Sequence, residues 1–321
     1  MTAYGQKSNI GINFQNSFGT NLVTSLYWLP HISDGLGLNI EQLVSEAMRG
    51  IHDEGDSYTG MKTIDGELEI EAQPIPLGVL FKAIFGDPST VNSGGIYTHT
   101  FKPRTSDFDG LSANNPFTYH QYLDTGSSNL LYDLNATMLE LSVAAGEFMK
   151  AKLGVVGGSF IQSANVATSY PTGKRFTWDQ TSVSIGGAGN SKLIDLTMSF
   201  NESLEAQHTM NGSKYPSRIK RTGFRTIEVS GTIKFDDQDE YQDFLAQTEQ
   251  NMTVNFKGAT EIQSGYYDEV TVILPLLRYS EVKPMAGGVG PIEVGITGMG
   301  KYSVDSATSA AVILVNTQAA Y

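Results

Sequence analysis

The 321-residue chain contains no cysteine. Disulfides, thiolate metal sites and cysteine nucleophiles are excluded together. Long apolar runs are missing too. The longest, such as Ala310–Val315, are far too short to span a bilayer, so no membrane association is expected. The opening MTAYGQKSN is polar, and no signal peptide is expected. The chain reads as a soluble protein made in a cytoplasm. Basic residues are scarce, 21 Lys and Arg against 34 Asp and Glu, for a formal net charge of −13. Such a chain is poorly suited to gripping nucleic acid, whose affinity comes from neutralised phosphates.

Catalytic and metal-binding patterns are missing as well. His31, His52, His99, His120 and His208 form no H-E-x-x-H or other ligand spacing. His52-Asp53-Glu54 with Asp56 reads as a solvated acidic loop, with weak cation binding as the alternative. No G-x-S-x-G occurs. GITGMGKYS, residues 295–303, satisfies G-x-x-x-x-G-K but puts Tyr302 where a phosphate loop needs Ser or Thr. A strand pattern follows it, not the helix such a loop must open, so two glycine-bearing strands are the simpler reading. DDQDE, residues 236–240, lacks the glycine and distant Glu of a calcium loop, and helix capping explains it better. No enzyme site and no cofactor are expected.

What is present is glycine, 34 residues of it, with many short alternating runs. These predict strands over 11–14, 66–70, 96–101, 138–143, 148–155, 181–185, 193–200, 226–235, 252–256, 269–277, 292–296 and 310–315. Helical spacing occurs over 40–51, 77–85 and 238–248 only. The fold class is mainly β with a few helices packed on sheets (α+β).

One unit recurs. TIDGELEIEAQPIPLGVLFKAIFGD from Thr63 alternates through Leu68 and Ile70, then takes helical spacing through Leu80 and stops at Gly86. TIEVSGTIKFDDQDEYQDFLAQTEQ from Thr226 does the same. With Gly66 set on Gly231, Leu68 falls on Ile233, Ile70 on Phe235 and Leu80 on Leu245, an offset of 165 residues without a gap. Prolines occupy the first turn of the first helix, where a missing N–H costs little. Asp237 and Glu240 fit a capping box for the second. Leu80 and Leu245, and likewise Phe81 and Phe244, are expected to be buried on their own sheets. The expectation is two tandem modules, 1–168 and 169–321, with a seam near Ser163–Gly173.

The segments ahead of the two strands carry opposite charge. Residues 31–60 hold Asp34, Glu41, Glu46, Asp53, Glu54 and Asp56 against Arg49, a net of −5. Residues 208–225 hold Lys214, Arg218, Lys220, Arg221 and Arg225 and no acid, a net of +5. A solvated hairpin and phosphate binding are the alternatives to a contact between subunits.

Taken in order, several stretches resemble the major tail tube proteins of long-tailed, siphovirus-type bacteriophages. They are LPHISDGLGLNIEQLVSEAMRG, YTGMKTIDGELEIEAQPIPLGVLFKAIFG, GGIYTHTFKP, RFTWDQTSVSIGG and LTMSFNESLEA, within about Ile10 to Val315. NPFTYHQYLDTG fits loosely, and the extreme C-terminus has no counterpart. The resemblance implies β-sandwich or split-barrel modules, each with a flanking helix. It implies six-fold rings stacked into a tube for genome ejection, with double-stranded DNA passing an acidic lumen without tight binding. Other tail proteins are the further partners, and the virion tail, assembled in the host cytoplasm, is the place. Two modules per chain favour a trimeric, pseudo-hexameric ring over six chains that each carry an outer decorating domain. The alternatives are another virion component, such as a tail-end or capsid protein, and a carbohydrate-binding sandwich or adhesin using Trp28, Trp178, Tyr119 and Tyr122.

Overall fold

The computed structural model describes residues 3–48, 50, 52–53, 55–104, 116–284 and 291–321. The first half contains β1 (Asn9–Phe14), β2 (Tyr27–Trp28), β3 (Ser33–Asp34), β4 (Gly37–Val44), β5 (Ser57–Glu71), α1 (Pro74–Phe85), β6 (Ser89–Ser93), β7 (Ile96–Phe101), β8 (Phe117–Tyr122), β9 (Ser127–Ala144) and β10 (Lys150–Ala164). The second contains β11 (Thr181–Ile185), β12 (Ala188–Gly189), β13 (Leu193–Asn201), β14 (Leu204–Gln207), β15 (Arg218–Arg221), β16 (Thr226–Lys234), α2 (Asp239–Ala246), β17 (Glu249–Gln263), β18 (Tyr266–Val282), β19 (Glu293–Lys301) and β20 (Ala311–Asn316). Eighteen strands form one sheet, and β14 and β15 pair apart from it. Every strand pairing is antiparallel. The protein is therefore mainly β with two α-helices among the described residues, none long and apolar enough to cross a membrane.

Pairing runs in the same order in both halves. In the first, β1 pairs β8, then β9, β10 and β5, with β3 and β4 beyond. In the second, β11 pairs β17, then β18, β19 and β16, with β13 beyond. The glycines aligned by sequence occupy matching places. Gly66 lies opposite Val155 of β10, and Gly231 opposite Ile296 of β19. Gly66 falls at the break between β3 and β4, and Gly231 lies beside the register shift between Leu193 and Asp195 of β13. A Cβ on Gly66, whose φ is +138°, would stand 2.3 Å from the Gly35 carbonyl oxygen, and one on Gly231 would stand 2.5 Å from that of Asp195. Both positions exclude a side chain because a neighbouring backbone takes its space.

Two ladders tie the halves together. β9 pairs β13 from Met138↔Asn201 to Ala144↔Asp195, and β20 pairs β7. One core runs through both halves, from Ile10, Leu68 and Phe101 to Met198, Val254 and Leu314. A smaller cluster gathers Ile233, Tyr279, Val282, Val294 and Ile296.

The helices differ. Pro74 starts α1 with a preset φ and no N–H to satisfy, and ten of its twelve residues are buried. It is apolar nearly all round because it packs against β9 and β20 and lies under the Tyr321 ring. α2 turns only Tyr241 and Phe244 toward the smaller cluster. Leu68, Ile70, Leu80, Phe81 and Ile233 are buried, and Phe235 is half-buried. Leu245 departs from expectation at 57% exposed. The next residue on a helix points about 100° away, so Phe244 takes the single packing face and Leu245 leaves it.

Two local expectations are overturned. Residues 40–51 do not begin a helix: Gly37–Val44 is a strand, Ser45–Met48 is irregular, and Arg49 and Ile51 lie outside the described residues. The helical spacing there has no surface to cover, since Ile40 and Leu43 are 50% and 54% exposed, while β5 offers a backbone to pair. The capping box is not formed either. Gln238 is the N-cap, and the Asp237 and Glu240 carboxylates turn to the Lys192 ammonium at 2.5 and 3.2 Å. Asp237 still accepts from the Asp239 N–H at 3.2 Å, but Glu240 turns to the full positive charge and does not reach back to the N-cap backbone.

Candidate assembly surfaces

The acidic segment divides. Asp34 is a structural residue, accepting hydrogen bonds from the Leu36 N–H at 3.1 Å and the Gln121 amide at 2.7 Å. Glu41, Glu46, Asp53 and Asp56 are exposed along β4 and at the far end of the β4–β5 hairpin. Glu54 lies outside the described residues. Here β4 pairs β5 along one edge, and no strand covers its other edge among the described residues. Tyr58 and Met61 add to the exposed apolar surface of this hairpin.

The basic segment folds as the β14–β15 hairpin, which lies against β5 of the same chain. The Lys62 N–H donates to the Lys214 carbonyl at 2.8 Å, and His208 Nε2 donates to the Lys62 carbonyl at 3.2 Å. The root of the acidic hairpin and the tip of the basic one thus meet within one molecule. Lys214 is exposed, Arg218 donates to the Gln207 side chain at 3.0 Å, and Lys220 stands opposite Glu205.

Arg221 and Arg225 are committed elsewhere. Both pair with Glu202, whose side chain is 3% exposed, and Arg225 Nε reaches it at 2.5 Å. Arg225 also donates to the Arg104 carbonyl at 3.0 Å, and the Glu202 N–H donates to the Thr137 carbonyl at 2.8 Å. This cluster pins the basic hairpin to the ladder between the halves. Sequence reading missed Glu202 because it lies six residues before the basic segment. Its signal was an acid just past the end of an alternating strand.

The strand face bearing Glu67, Glu69 and Glu71 is less negative than its own sequence implies. Lys152 pairs with Glu67 at 2.8 Å, Arg175 pairs with Glu71, and Lys150 stands opposite Glu71 in the ladder. Of the four aromatics considered for sugar binding, Trp28 and Tyr119 are core residues and Tyr122 is half-buried. Trp178, 49% exposed, lines a cleft of about 550 Å³ with Val143, Val183 and Leu196. The glycine-bearing stretch 295–301, which matches a phosphate loop in spacing alone, lies wholly within β19.

Residues 5–300 match the family described as phage tail tube protein. The chain belongs to that family. A comparison with curated proteins found no match. A tail tube protein is a structural component of the virion tail that assembles with itself and meets other tail proteins. The functional surfaces of such a subunit are its contacts, which places the exposed β4 edge and the two charged hairpins ahead of any cleft.

Proposed function

We propose that this tail tube protein is a ring subunit made of two tandem modules, residues 1–168 and 169–321, so that three copies fill six module positions. Rings stack, and the bore carries the genome into the host at ejection. The observation that supports this is the β9–β13 ladder, which joins halves of like pairing order edge to edge. One chain is then already an arc of two neighbours. Lys214, Arg218 and Lys220 reach an acidic surface on an adjacent copy or ring, formed by Glu46, Asp53 and Asp56. DNA passes without tight binding because the net charge of −13 per chain repels it.

Negative-stain electron microscopy of purified protein, with native mass spectrometry of rings, tests this reading. Tubes or holed rings of three 34.8-kDa chains are expected. Rings of six chains would favour one tube module plus a decorating domain per chain, and a persistent monomer would overturn the assembly reading.

A further inference from the structure

We propose that Asn211 is a self-modifying site. The Gly212 nitrogen attacks the Asn211 side-chain amide, and the aspartate or isoaspartate that follows puts a negative charge at the tip of the basic hairpin and disables it as an assembly contact. The site stands on local chemistry. Its effect on assembly rests on the ring-subunit reading and adds a regulation to it.

Asn211 and Gly212 lie in the turn between β14 and β15, and both are exposed. Asn211 is the one asparagine of the chain that is followed by glycine. Attack on a side-chain amide by the next backbone nitrogen needs an accessible nitrogen, an unobstructed approach and an amide free to leave. The Gly212 N–H donates to no group among the described residues. A Cβ at Gly212 would meet nothing within 4 Å, so the space is open, and glycine itself puts no side chain in the path. Its φ of +79° is one that glycine adopts at no steric cost. The Asn211 Oδ1 accepts from the Ser213 N–H at 3.0 Å, which draws electrons from the amide carbon, while Nδ2 donates to no group among the described residues. Asn190 is the contrast. Its Nδ2 donates to Glu240 and its Oδ1 accepts from the Lys192 N–H, both at 3.0 Å, so its amide is tied at both ends.

The Gly212 nitrogen gives its proton to hydroxide and attacks the Asn211 Cγ. The N–Cγ bond forms, the Cγ–Nδ2 bond breaks, and Nδ2 leaves as ammonia with a proton from water. Water then opens the cyclic imide at either carbonyl. One opening gives aspartate, and the other gives isoaspartate, with an extra methylene in the backbone.

The consequences fall on the tip. From Thr209 to Ser217 Lys214 is the only charged side chain, so one new carboxylate cancels the tip's positive charge. The added methylene lies three residues before the Lys214 carbonyl, which holds the hairpin on β5 by accepting the Lys62 N–H at 2.8 Å. A tip without net charge loses its attraction for an acidic surface.

Peptide mass spectrometry of free subunit, aged at mildly alkaline pH, tests the site through the gain of about 1 Da that replaces the amide by a carboxylate. Asn211 should convert at least about tenfold faster than Asn16 and Asn92, which precede serine, because glycine leaves the approach open. The rate should rise with pH. An Asn211 that converts no faster than those two overturns the site. Partly converted protein is then polymerised, and tubes are separated from the unassembled remainder. The converted form should be depleted in tubes by about threefold or more, since its tip has lost the steering charge. Equal fractions overturn the effect on assembly. Asn211→Gln lengthens the side chain and disfavours the ring closure, so its aged form should assemble like fresh protein. If it loses assembly as fast as the aged parent, ageing acts elsewhere and the proposal fails. A parent that forms neither rings nor tubes when fresh refutes the ring-subunit reading instead, while the mass measurement still decides the site.

Discussion

Leu80 and Leu245 hold matching places in the recurring unit, yet only the first is enclosed. Leu80→Ala is expected to cost about 2–5 kcal/mol in denaturant titration, because a cavity is left in a packed core. Leu245→Ala should change stability by less than about 0.5 kcal/mol, as for other exposed positions. His99 is a second residue whose surroundings decide its behaviour. Its Nε2 donates to the Gln318 carbonyl at 2.8 Å, and in the neutral ring its Nδ1 accepts from the Thr90 hydroxyl, also at 2.8 Å. The ring is neutral in this arrangement. Burial pushes its pKa below the ordinary value, against the opposing pull of its hydrogen bonds to Gln318 and Asn316. His120 is pushed the same way by burial. With a lowered folded-state pKa, the unfolded chain takes up the proton first. The stabilising contribution is whole above about pH 6.5 and is lost as pH falls from there through the lowered folded-state pKa. Urea midpoints measured from pH 8 to pH 5 should fall, and His99→Gln should flatten that fall while lowering the midpoint at pH 8.

At the scale of elements, the basic hairpin is held by a buried acid. Removing one partner of a buried ion pair leaves the other charge uncompensated, which costs about 3–5 kcal/mol. Glu202→Ala is expected to fall in that range by thermal or urea unfolding. Arg218→Ala, which loses one exposed hydrogen bond, should stay within about 0.5 kcal/mol. Should Glu202→Ala prove as mild as Arg218→Ala, the hairpin is not pinned through this cluster. The same geometry shapes any test of charge between subunits. Reversing Arg221 would break an intrachain ion pair and confound assembly with folding.

For the whole molecule, the useful charge reversal is Arg218→Glu with Lys220→Glu, which leaves Glu202 paired. Exposed charges are screened over about 10 Å at 0.1 M salt. Tubes of this variant, measured in electron micrographs, should be shorter than the parent's at low salt, and the difference should narrow as salt rises. Equal lengths at every salt concentration would exclude the hairpin from assembly. A gel shift of DNA by the parent at physiological salt would instead assign it to phosphate binding.

The sequence by itself determined which segments are strands wherever burial alternates. The runs 96–101 and 181–185 match β7 and β11 residue for residue, and the other predicted runs lie in or overlap strands. It also determined α1, whose prolines and apolar residues allow little else. It could not determine β8, because Phe117–Gln121 is buried on both faces and shows no alternation. Nor could it distinguish strand from helix over Ile40–Val44, where the spacing of apolar residues is real but the core lies elsewhere. Only the tertiary structure decided that Arg221 and Arg225 serve Glu202, since charge counted along a chain does not say which charges face each other. It alone decided that, among the described residues, β13 has two strand partners and β4 one, because an edge is a property of the sheet and not of the strand.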